Sequence, residues 1–587
     1  MLDYLIRGAV IVDGLGNIPY KADIGLANGR IVDVGDGLRM SARETLDVDG
    51  CIAAPGWVDI HTHYDGQATW DTTLDPSASH GVTTVVMGNC GVGFAPVRQG
   101  DHPRLIELME GVEDIPGTAL YEGIPWDRWQ SFPQYLDYLA DRHYSMDIGA
   151  MIAHGPVRAY AMGERGCNNG EPTPNDLKAM AEIVSEAMLA GALGFSTSRT
   201  LFHQSMSGQP VPGTFADEAE LGSVVDAMAR AGGGVFASVP GEAVAGLMVD
   251  DSIPTLEDEI AMMARLSRRS GLPVTWSFTQ DHTRPERWRD LLTLVRAKNG
   301  RGARLFPQVA SKPTSSLISL KTYHPFMRRE TYLRLRNLPF DRLLAELKKP
   351  EVKAAILADE DVPDNSPGSM ENFFLFAPMD WSMTFDAREL DTEPHRQSAF
   401  DRLAAVVNQT PEAYLYDFLV AGQGDNFAAR VFVNFANYSY EAMREMFQHP
   451  DTVIGTHDAG AHVNLICDGV VPTYHLTHWV RDREAERGPT LDLVDVVAKQ
   501  TRNNACLFGL GDRGVIQAGK RADLNIIDLD NLSLGPLQLV RDLPAGGQRL
   551  LRGAHGYVAT FVNGHMTRRD DQDTGARPGR LIRRGAL

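Results

Sequence analysis

The two ends of the chain carry short runs in which apolar and polar positions alternate. Near the N-terminus these runs are YLIRGAVIVDG, ADIGLANGRIVDVGD and ETLDVDGCIAAPG, and near the C-terminus they are DRGVIQAGKRADLNIIDLD and HGYVATFVNGH. Period-two alternation with Asn-Gly or Asp-Gly pairs is typical of strands joined by tight turns. We therefore predict one small β domain, a β-sandwich, built from residues 1–55 together with residues 510–587.

The middle of the chain, residues 56–509, follows a different pattern. Short apolar runs alternate with amphipathic helical stretches such as NDLKAMAEIVSEAMLAG, and eight runs are candidate strands: GWVDIHTH, TTVVMGNC, MDIGAMIAHG, ALGFSTS, GVFASVP, PVTWSFTQ, ARLFPQVA and TVIGTHDAG. Eight consecutive units favour a closed (β/α)8 TIM-like barrel over an open doubly wound sheet. The fold class is thus α/β. Polar residues gather at the carboxyl end of each strand, where barrels of this kind place their active sites.

One segment, from about residue 312 to residue 450, interrupts the alternation of strands and helices. It is rich in aromatic, basic and proline residues, as in KTYHPFMRRETYLRLRNLPFDR and FFLFAPMDW. We interpret it as a long insertion before the last barrel strand, placed to act as a lid over the site.

Composition and charge narrow the class of protein. The 587 residues are enough for more than one hydrophobic core. The formal net charge of -20 disfavours nucleic acid as a partner, because an acidic surface repels phosphate groups. Five scattered cysteines fit a reducing compartment better than a disulfide framework. The N-terminus lacks the features of a signal peptide, and no run approaches the ~18–20 apolar residues that span a bilayer. We expect a cytoplasmic protein with no membrane partner.

The first candidate strand ends in an H-x-H pair, His61 and His63. Side chains at positions i and i+2 of a strand point to the same side, so two imidazoles are presented together at the barrel mouth. Imidazole nitrogens are common ligands of divalent metals. An arbitrary H-x-H pair is more often a polar loop, but the context GWVDIHTHYD favours the metal site.

Two further residues at strand ends have chemistry that suits a metal. Asp458 follows the eighth candidate strand, where a carboxylate can bind a metal and accept a proton from water, although Asp is also common at helix N-caps. Cys90 ends the second candidate strand beside Gly-rich turns. A thiolate is a good zinc ligand, while a buried cysteine is often an apolar filler.

These positions carry a family resemblance that spans nearly the whole chain. A first strand ending in D-x-H-T-H and a last strand ending in a D-A-G-x-H segment resemble the amidohydrolase superfamily. The segments GVTTVVMGNCGVGFAP, MEGVEDIPGTALYEGIPWDRWQSFPQYLDYL, AGALGFSTSRTLFH and GTHDAGAHVNLICDG resemble its N-acyl-D-amino-acid deacylase branch. The resemblance implies the barrel, a small β domain from both ends, and one or two divalent metals, usually zinc. It implies that His61, His63 and Cys90 are ligands and that Asp458 is both ligand and catalytic base.

The chain also departs from the pattern of that family. The resemblance leads one to expect a histidine at the end of the fifth strand and another at the end of the sixth, but Val239 and Phe278 lie near those places. His282 stands a few residues further on and could substitute. The fourth strand has no lysine for carbamylation. We therefore predict one metal ion, with zinc favoured by the Cys and His ligands, rather than a bridged pair.

Other polar residues just past strand ends are candidates for substrate binding. An acyl amino acid carries a carboxylate, which calls for Arg, Lys or backbone N–H donors. The candidates are His154, Arg158, Arg199, His203 and Lys312, with Arg284 a further basic residue in such a place. Arg199 is favoured among them because it lies in a family-like segment. His457 is expected to be structural, whereas His462 and Asp468 could support the site.

The sequence predicts a metal-dependent hydrolase of a non-peptide C–N bond. A metal-activated water would deacylate an N-acyl-D-amino acid, a small-molecule amide, with Asp458 moving the proton. One alternative is an amidohydrolase of another amide, such as a cyclic amide, an aryl amide or a carbamate. A less favoured alternative is a non-catalytic scaffold of the same fold. A homo-oligomer is compatible with the sequence.

Overall fold

A barrel of eight parallel strands forms the centre of the molecule. The computed structural model describes residues 1–243 and 249–585. The barrel strands are Trp57–Asp59, Val82–Met87, Asp147–Ala153, Gly194–Ser198, Val235–Val239, Val274–Phe278, Leu305–Val309 and Val453–Ile454. Each pairs in parallel with the next along the chain. The strands are short and almost entirely buried, as expected where helices cover a parallel sheet.

The barrel closes between its last and first strands. Thr62 and Ala459 form a parallel bridge just beyond the ends of those strands, and the His63 backbone N–H donates to Ala459 O at 2.8 Å. This contact brings residues from opposite ends of the barrel sequence to one rim. The prediction of an α/β fold with a (β/α)8 barrel and an additional sheet is confirmed.

Helices surround the barrel and connect its strands. They are His102–Glu113, Gly117–Gly123, Phe132–Ala140, His154–Met162, Glu164–Cys167, Pro174–Leu189, Glu218–Arg230, Leu256–Ser270, Arg287–Asn299, Glu441–Gln448, Val471–Tyr474, Leu493–Ala498 and Asn504–Leu507, with π-helical turns at His475–Asp482 and Lys499–Asn503. Several start at side-chain caps, such as Thr173 and Asp217, whose oxygens accept backbone N–H groups. In the described part of the chain, no helix combines the length and apolar character that crossing a bilayer requires.

Strands from both ends of the chain form a second sheet. They are Leu2–Ile11, Tyr20–Ala27, Arg30–Gly35, Ala42–Asp47, Ile52–Pro55, Leu524–Ile527, Tyr557–Val562, His565–Arg569 and Gln572–Asp573. The two ends meet where Ile52–Pro55 runs antiparallel to Leu524–Ile527. Leu2–Ile11 pairs with Ala42–Asp47 through its first half and with Ile52–Pro55 through its second half. The structure therefore shows one branched sheet where the sequence predicts a sandwich, and this sheet has its own apolar core.

Residues 310–452 lie between the seventh and eighth barrel strands and form a packed unit. It contains an antiparallel sheet of Thr314–Ile318, Ala428–Val433 and Thr384–Asp386, in that order, and the helices Glu330–Leu335, Phe340–Leu347, Pro350–Ala358, Phe373–Phe376, Phe400–Val406 and Pro411–Ala421. Ile318, Phe326, Leu347 and Leu415 belong to a hydrophobic core that is separate from the barrel core. Because this unit has its own core, its inner sheet can serve as a rigid wall.

Candidate metal centre and active site

His61 and His63 lie on the same side of the chain that leaves the first barrel strand. Thr62 stays in extended pairing, with its backbone N–H and its hydroxyl both donating to Val86 O. The two imidazole ring centroids are 5.6 Å apart, and both side chains are buried. The extended backbone thus places the imidazoles together, as the H-x-H spacing requires.

Asp458 and Cys90 both approach the Nε2 atoms of these two imidazoles. Asp458 Oδ1 is 3.1 Å from His61 Nε2 and 3.5 Å from His63 Nε2. Cys90 Sγ is 3.4 Å and 3.7 Å from the same two nitrogens. Ligand atoms of a tetrahedral zinc site with metal–nitrogen bonds near 2.1 Å stand roughly 3.4 Å apart. The ligand atoms of His61, His63 and Cys90 are therefore spaced as three ligands of one ion would be, while Asp458 contacts the two imidazole nitrogens without joining that compact group.

The backbone at this point adopts conformations that side chains usually avoid. Cys90 has a φ of 56° and Asp458 a φ of 49°. Such values cost about 1–3 kcal/mol each, and they cluster at functional sites. The glycines beside Cys90 allow the tight path: a Cβ on Gly88 would lie 2.2 Å from Met151 O, and one on Gly91 would lie 2.8 Å from Ser198 N. The local sequence GNCG is thus what allows the thiol to reach the site.

A second layer of residues orients the two imidazoles. His61 Nδ1 lies 2.8 Å from Gln308 Oε1, so its N–H donates to the amide oxygen and its Nε2 lone pair faces Asp458 and Cys90. His63 Nδ1 is 3.3 Å from Glu113 Oε1, at ion-pair distance without a hydrogen bond, and His462 Nε2 is 3.4 Å from Glu113 Oε2. Glu113 is buried at the end of its helix. Its carboxylate therefore links an imidazole of the site to the loop that follows Asp458.

The electrostatics of the site favour a cation. Burial raises the pKa of Cys90 and of Glu113 well above their usual values, with nearby carboxylates adding to both shifts. Burial also raises the pKa of Asp65 to about 7. Burial would raise the pKa of Asp458 too, but the adjacent imidazoles outweigh it and hold that pKa well below its usual range. Among the described residues, no Lys or Arg forms an ion pair with any of these groups. A divalent cation fits this donor set because it would compensate their negative charge.

The pKa values of the two imidazoles shift in opposite directions. Burial opposes protonation of His61, but Asp458 outweighs burial and raises the His61 pKa. For His63, burial dominates and lowers the pKa. A neutral imidazole is the form that binds a metal.

A cavity of about 120 Å³ is lined by three of these side chains, His61, Cys90 and Asp458, while His63 lies behind them. Its walls come from the fourth, fifth and sixth strand ends and from the insertion, through Phe202, His203, Val239, Ala243, Ser277, Thr279, Thr314, Ser316, Met370, Phe373, Phe432 and Val433. Most of these side chains are apolar or carry only a hydroxyl. The insertion thus supplies one wall of the pocket in which the substrate would lie.

The fifth and sixth strands contribute no imidazole to this cavity in the described part of the chain. Val239 lines it, but Phe278 does not, since Ser277 and Thr279 point inward and Phe278 points outward into the core. Phe278 itself therefore lies outside the cavity, although both of its neighbours line it. His282 lies elsewhere, with its Nε2 accepting from the Phe435 backbone N–H at 3.0 Å.

Of the predicted substrate-binding residues, His203 lines the cavity. Its Nδ1 lies 2.9 Å from Ser198 Oγ at the end of the fourth strand. Burial, together with the neighbouring imidazoles, lowers the His203 pKa to about 3. It is therefore neutral near pH 7, and one of its nitrogens can donate to a substrate oxygen.

Arg199, His154 and Arg158 are held by buried carboxylates outside the cavity. Arg199 Nε donates to Glu259 Oε1 at 2.6 Å, and its Nη1 donates to Ala216 O. His154 and Arg158 both contact Glu220, at 2.9 Å and 2.5 Å. On the fourth strand, Ser196 and Ser198 face the barrel interior. Side chains alternate along a strand, so Arg199 points the other way, toward the surrounding helices. Their placement gives no support to a substrate-binding role.

Lys312 lines a different cavity of about 350 Å³, together with Asp468 and Arg552. Its Nζ is 3.2 Å from Asp391 Oδ1. The strand Thr314–Ile318 separates the two cavities, because Thr314 and Ser316 line the metal cavity while Ser315 and Leu317 line the other. Lys312 and Asp468 are thus not at the mouth of the metal cavity. His457 is buried, with Nδ1 3.1 Å from Asp59 Oδ1, and it does not line the metal cavity.

Two supporting residues were not found from the sequence. For Gln308 the sequence offers only a weak indication, namely that a polar residue lies near the end of a buried strand. Glu113 lies in one of the family-like segments, but its chemistry did not single it out, because an acidic residue at the end of an amphipathic helix is ordinarily solvated.

The fold and the site together define a class of protein. The structure has an eight-stranded barrel with an imidazole pair after its first strand and a carboxylate after its last. This is the arrangement that the resemblance to the amidohydrolases implies. A model of the Amidohydrolase family matches residues 44–567. The chain therefore belongs to the amidohydrolase family, and it is a hydrolase.

Particular relatives are similar to this chain over its whole length. An N-acyl-D-aspartate deacylase of Alcaligenes xylosoxydans xylosoxydans is 25% identical, with 99% of this chain and 95% of the relative covered. An N-acyl-D-glutamate deacylase of the same organism is 25% identical, with 100% and 97% covered. The predicted resemblance to the N-acyl-D-amino-acid deacylases is confirmed.

A solved structure of similar fold is that of an N-acyl-D-glutamate deacylase from Bordetella bronchiseptica, in complex with zinc and a phosphonate inhibitor. It is 23% identical, covers 99% of each chain and has a TM-score of 0.62. At this identity the likeness establishes the fold alone.

Proposed function

We propose that this protein hydrolyses the amide bond of N-acyl-D-amino acids. The observation that carries the proposal is the convergence of His61, His63, Cys90 and Asp458, three of which line a small cavity. Relatives of similar length that act on N-acyl-D-aspartate and N-acyl-D-glutamate support the substrate class.

We further propose that these four side chains hold one zinc ion. One ligand atom each from His61, His63 and Cys90 lie within 4.8 Å of one another, and Asp458, 3.1 Å and 3.5 Å from the two imidazole nitrogens, would supply the fourth ligand. Nitrogen and sulfur ligands suit zinc better than magnesium or calcium. When bound, the ion would polarise the amide carbonyl and make a water molecule more acidic.

Asp458 would move the proton during hydrolysis. Its carboxylate retains 23% side-chain exposure, so it faces both the imidazoles and the cavity. Water adds its oxygen to the amide carbon and loses one proton to Asp458. Asp458 then gives this proton to the amide nitrogen as the C–N bond breaks, which yields a carboxylic acid and an amine. An amine is too basic to leave without that proton, so a single carboxylate serves as base and then as acid.

The remaining cavity residues would orient the substrate. Neutral His203 can donate to the oxygen that becomes negative during attack, while Ser198 fixes its ring. Apolar side chains such as Phe202 and Phe432 would hold the acyl group or the amino-acid side chain.

The test is a turnover assay on purified protein with N-acetyl-D-amino acids and their L enantiomers. We expect preference for the D enantiomer, loss of turnover after chelation and its return with zinc. Asp458→Asn should abolish turnover, whereas Asp468→Asn, in the neighbouring cavity, should retain it. Unchanged turnover after complete metal removal would contradict the proposal.

A different amide is the second candidate. It is favoured by one observation, namely that Val239, Ser277 and Thr279 stand where the resemblance leads one to expect imidazoles. A panel of cyclic amides, aryl amides and carbamates, assayed beside the linear acyl amino acids, would separate the two. Turnover of the panel alone would favour this candidate.

A further inference from the structure

The cavity that Lys312 lines, here called the second cavity, has a pair of cations that the proposed reaction does not use. Lys312 and Arg552 both line it, with side chains that are 10% and 18% exposed. The strand Thr314–Ile318 separates it from the metal cavity, since alternate residues of that strand face each one. Its volume of about 350 Å³ lies in the range of roughly 300–1,000 Å³ that small-molecule pockets occupy. The second cavity is therefore large enough for a ligand of its own.

One carboxylate holds the two cations side by side. Asp391 Oδ1 accepts from Lys312 Nζ at 3.2 Å and from Arg552 Nη1 at 3.1 Å, while Asp391 Oδ2 accepts from Arg552 Nη2 at 2.7 Å. Asp391 itself does not line the second cavity. Burial would raise the pKa of Asp391, but Lys312 and Arg552 outweigh burial and lower that pKa. The carboxylate is thus ionised near pH 7, and the three groups together keep one net positive charge.

Lys312 has N–H donors that the protein does not use. Its hydrogen bond to Asp391 occupies one of the three ammonium donors, and its Nζ lies 5.5 Å from the centroid of the Tyr474 ring. Within the described part of the chain, Asp391 is the one residue that accepts a hydrogen bond from Nζ. An ammonium that is mostly removed from water and still has free donors is suited to bind an anion in the cavity.

Asp468 adds a negative charge to the lining of the second cavity. It has no hydrogen-bond or ion-pair partner for its carboxylate among the residues that the structure describes. Burial raises the pKa of Asp468 to about 6, although Lys312 opposes that shift, so the group is largely ionised at pH 7.5. Lys312 and Asp468 are too far apart to form an ion pair with each other. The two opposite charges are therefore both available to a ligand.

The other charged residues of the lining are already paired. Arg388 pairs with Asp386, and Asp425 pairs with Lys321 at an exposed position. Most of the remaining lining is apolar, through Leu317, Leu390, Phe427, Leu534, Pro536 and Leu537. The second cavity thus offers a ligand one net positive charge, one negative charge and an apolar wall.

We infer that the second cavity binds a free α-amino acid. The carboxylate of such a zwitterion would accept from Lys312, with Arg552 adding its charge, and the ammonium group would donate to Asp468. An apolar side chain would lie against the leucines of the wall. A simple carboxylate would leave Asp468 without a partner, and a simple amine would leave the free donors of Lys312 without an acceptor.

The same reaction would supply this ligand. Hydrolysis of an N-acyl-D-amino acid releases a free amino acid, so the identification of the ligand as the product rests on the proposed function. Because the strand Thr314–Ile318 separates the two cavities, the product could bind in the second cavity without occupying the metal cavity. We expect initial turnover, measured before free amino acid accumulates, to be independent of the second cavity.

The test is calorimetric binding of D-leucine to the zinc-loaded protein at pH 7.5. Lys312→Met and Asp468→Asn should each weaken binding by about 10–100-fold, because each removes a charge-assisted contact. The matched controls are Lys353→Met and Asp417→Asn, at a lysine–aspartate pair of the insertion that lines neither cavity. Both controls should bind D-leucine as the wild type does.

Two analogues show which charges of the ligand are recognised. In 4-methylpentanoate the ammonium group of leucine is missing, and in 3-methylbutylamine the carboxylate is missing. Each should bind at least about 10-fold more weakly than D-leucine, since one charged contact is lost. Equal binding of 4-methylpentanoate and D-leucine would mean that the cavity holds a simple carboxylate, and it would overturn the inference.

A cavity-filling variant separates loss of the site from loss of the fold. Leu534→Trp takes up space in the second cavity without altering its charges, and it should also weaken D-leucine binding. Zinc content and circular dichroism verify that each variant is folded. Binding that responds to neither Lys312→Met nor Asp468→Asn in folded protein would show that D-leucine binds elsewhere.

The failure of the proposed function would look different. If the protein turns over no acyl amino acid but binds D-leucine in a way that depends on Lys312 and Asp468, the proposed reaction is wrong and the amino-acid site stands. If acyl amino acids are hydrolysed but D-leucine does not bind, the proposed reaction stands and the amino-acid site is wrong.

Discussion

Asp458 Oδ1 lies 3.1 Å from His61 Nε2, although His61 follows the first barrel strand and Asp458 follows the last. The bridge between Thr62 and Ala459 closes the barrel at this point and sets the distance. The site therefore exists only in the closed barrel. This relationship leads to the first prediction.

Replacing Asp458 by Asn should lower kcat by about 10²–10⁴-fold, because the amide can neither accept nor deliver the proton. The measurement is steady-state turnover on zinc-supplemented protein, with zinc content determined in parallel. The matched control is Asp425→Asn, at a carboxylate whose side chain is 80% exposed. Turnover within a few-fold of the wild type would exclude Asp458 as the base.

Replacing Cys90 by Ala should weaken zinc affinity, because a thiolate ligand is lost while the backbone of the turn is kept. Zinc affinity is measured by competition with a coloured chelator. The exposed Cys506 provides the control through Cys506→Ala, which should bind zinc as the wild type does. Equal affinity of both variants would mean that the Cys90 thiol is only a filler.

Glu113→Gln should lower zinc affinity by about 10–100-fold, although Glu113 does not contact the proposed ion. The reason is that the buried Glu113 carboxylate lies 3.3 Å from His63 Nδ1, where its charge favours a proton on that nitrogen and leaves Nε2 free for the ion. The same chelator competition measures the effect, and circular dichroism verifies that the variant is folded. An unaltered affinity would show that His63 needs no such support.

Arg199→Met should destabilise the protein by about 3–5 kcal/mol, because it leaves the Glu259 carboxylate buried without its partner. Urea denaturation measures the free energy of unfolding. The double variant Arg199→Met with Glu259→Leu should recover much of the loss. The fraction of the variant that remains folded should have the KM of the wild type. A rise in KM without a loss of stability would instead indicate that Arg199 binds the substrate.

Acid should destabilise the protein through buried neutral histidines such as His80. Its ring nitrogens lie 2.7 Å from Thr473 Oγ1 and from Arg552 O, and burial lowers its pKa to about 4. In the unfolded chain a histidine pKa is about 6.5. The unfolded state thus binds the proton more tightly, and stability is lost as the pH falls from about 6.5 to about 4.

For one such histidine the loss amounts to at most about 1.4 kcal/mol per pH unit. His80→Gln should remove this contribution and flatten the acid limb of a plot of unfolding free energy against pH. His565→Gln, at an exposed histidine, is the control and should leave the slope unchanged. Identical slopes for all three proteins would show that His80 does not contribute.

Much of the fold could be predicted because its signals are local. The alternation of apolar strands with amphipathic helices predicts the barrel, and the period of two predicts that His61 and His63 share a side. The positions of Cys90 and Asp458 at strand ends predict that they lie at the same rim, since parallel strands end together. Those predictions use only distances along the chain and the geometry of a strand.

What the sequence could not decide is which side chains pair across the fold. Arg199 and Lys312 are both basic residues just past strand ends, yet Arg199 is buried against Glu259 and Lys312 lines the second cavity. Glu113 and Gln308 contact the imidazoles only because a helix end and the seventh strand arrive at the same place. Such pairings depend on contacts between distant segments, and burial makes each one decisive, since a charge that loses water must find another partner. The sequence by itself determined the barrel and the residue types at its rim, while the tertiary structure alone decided which of them are free to bind a substrate.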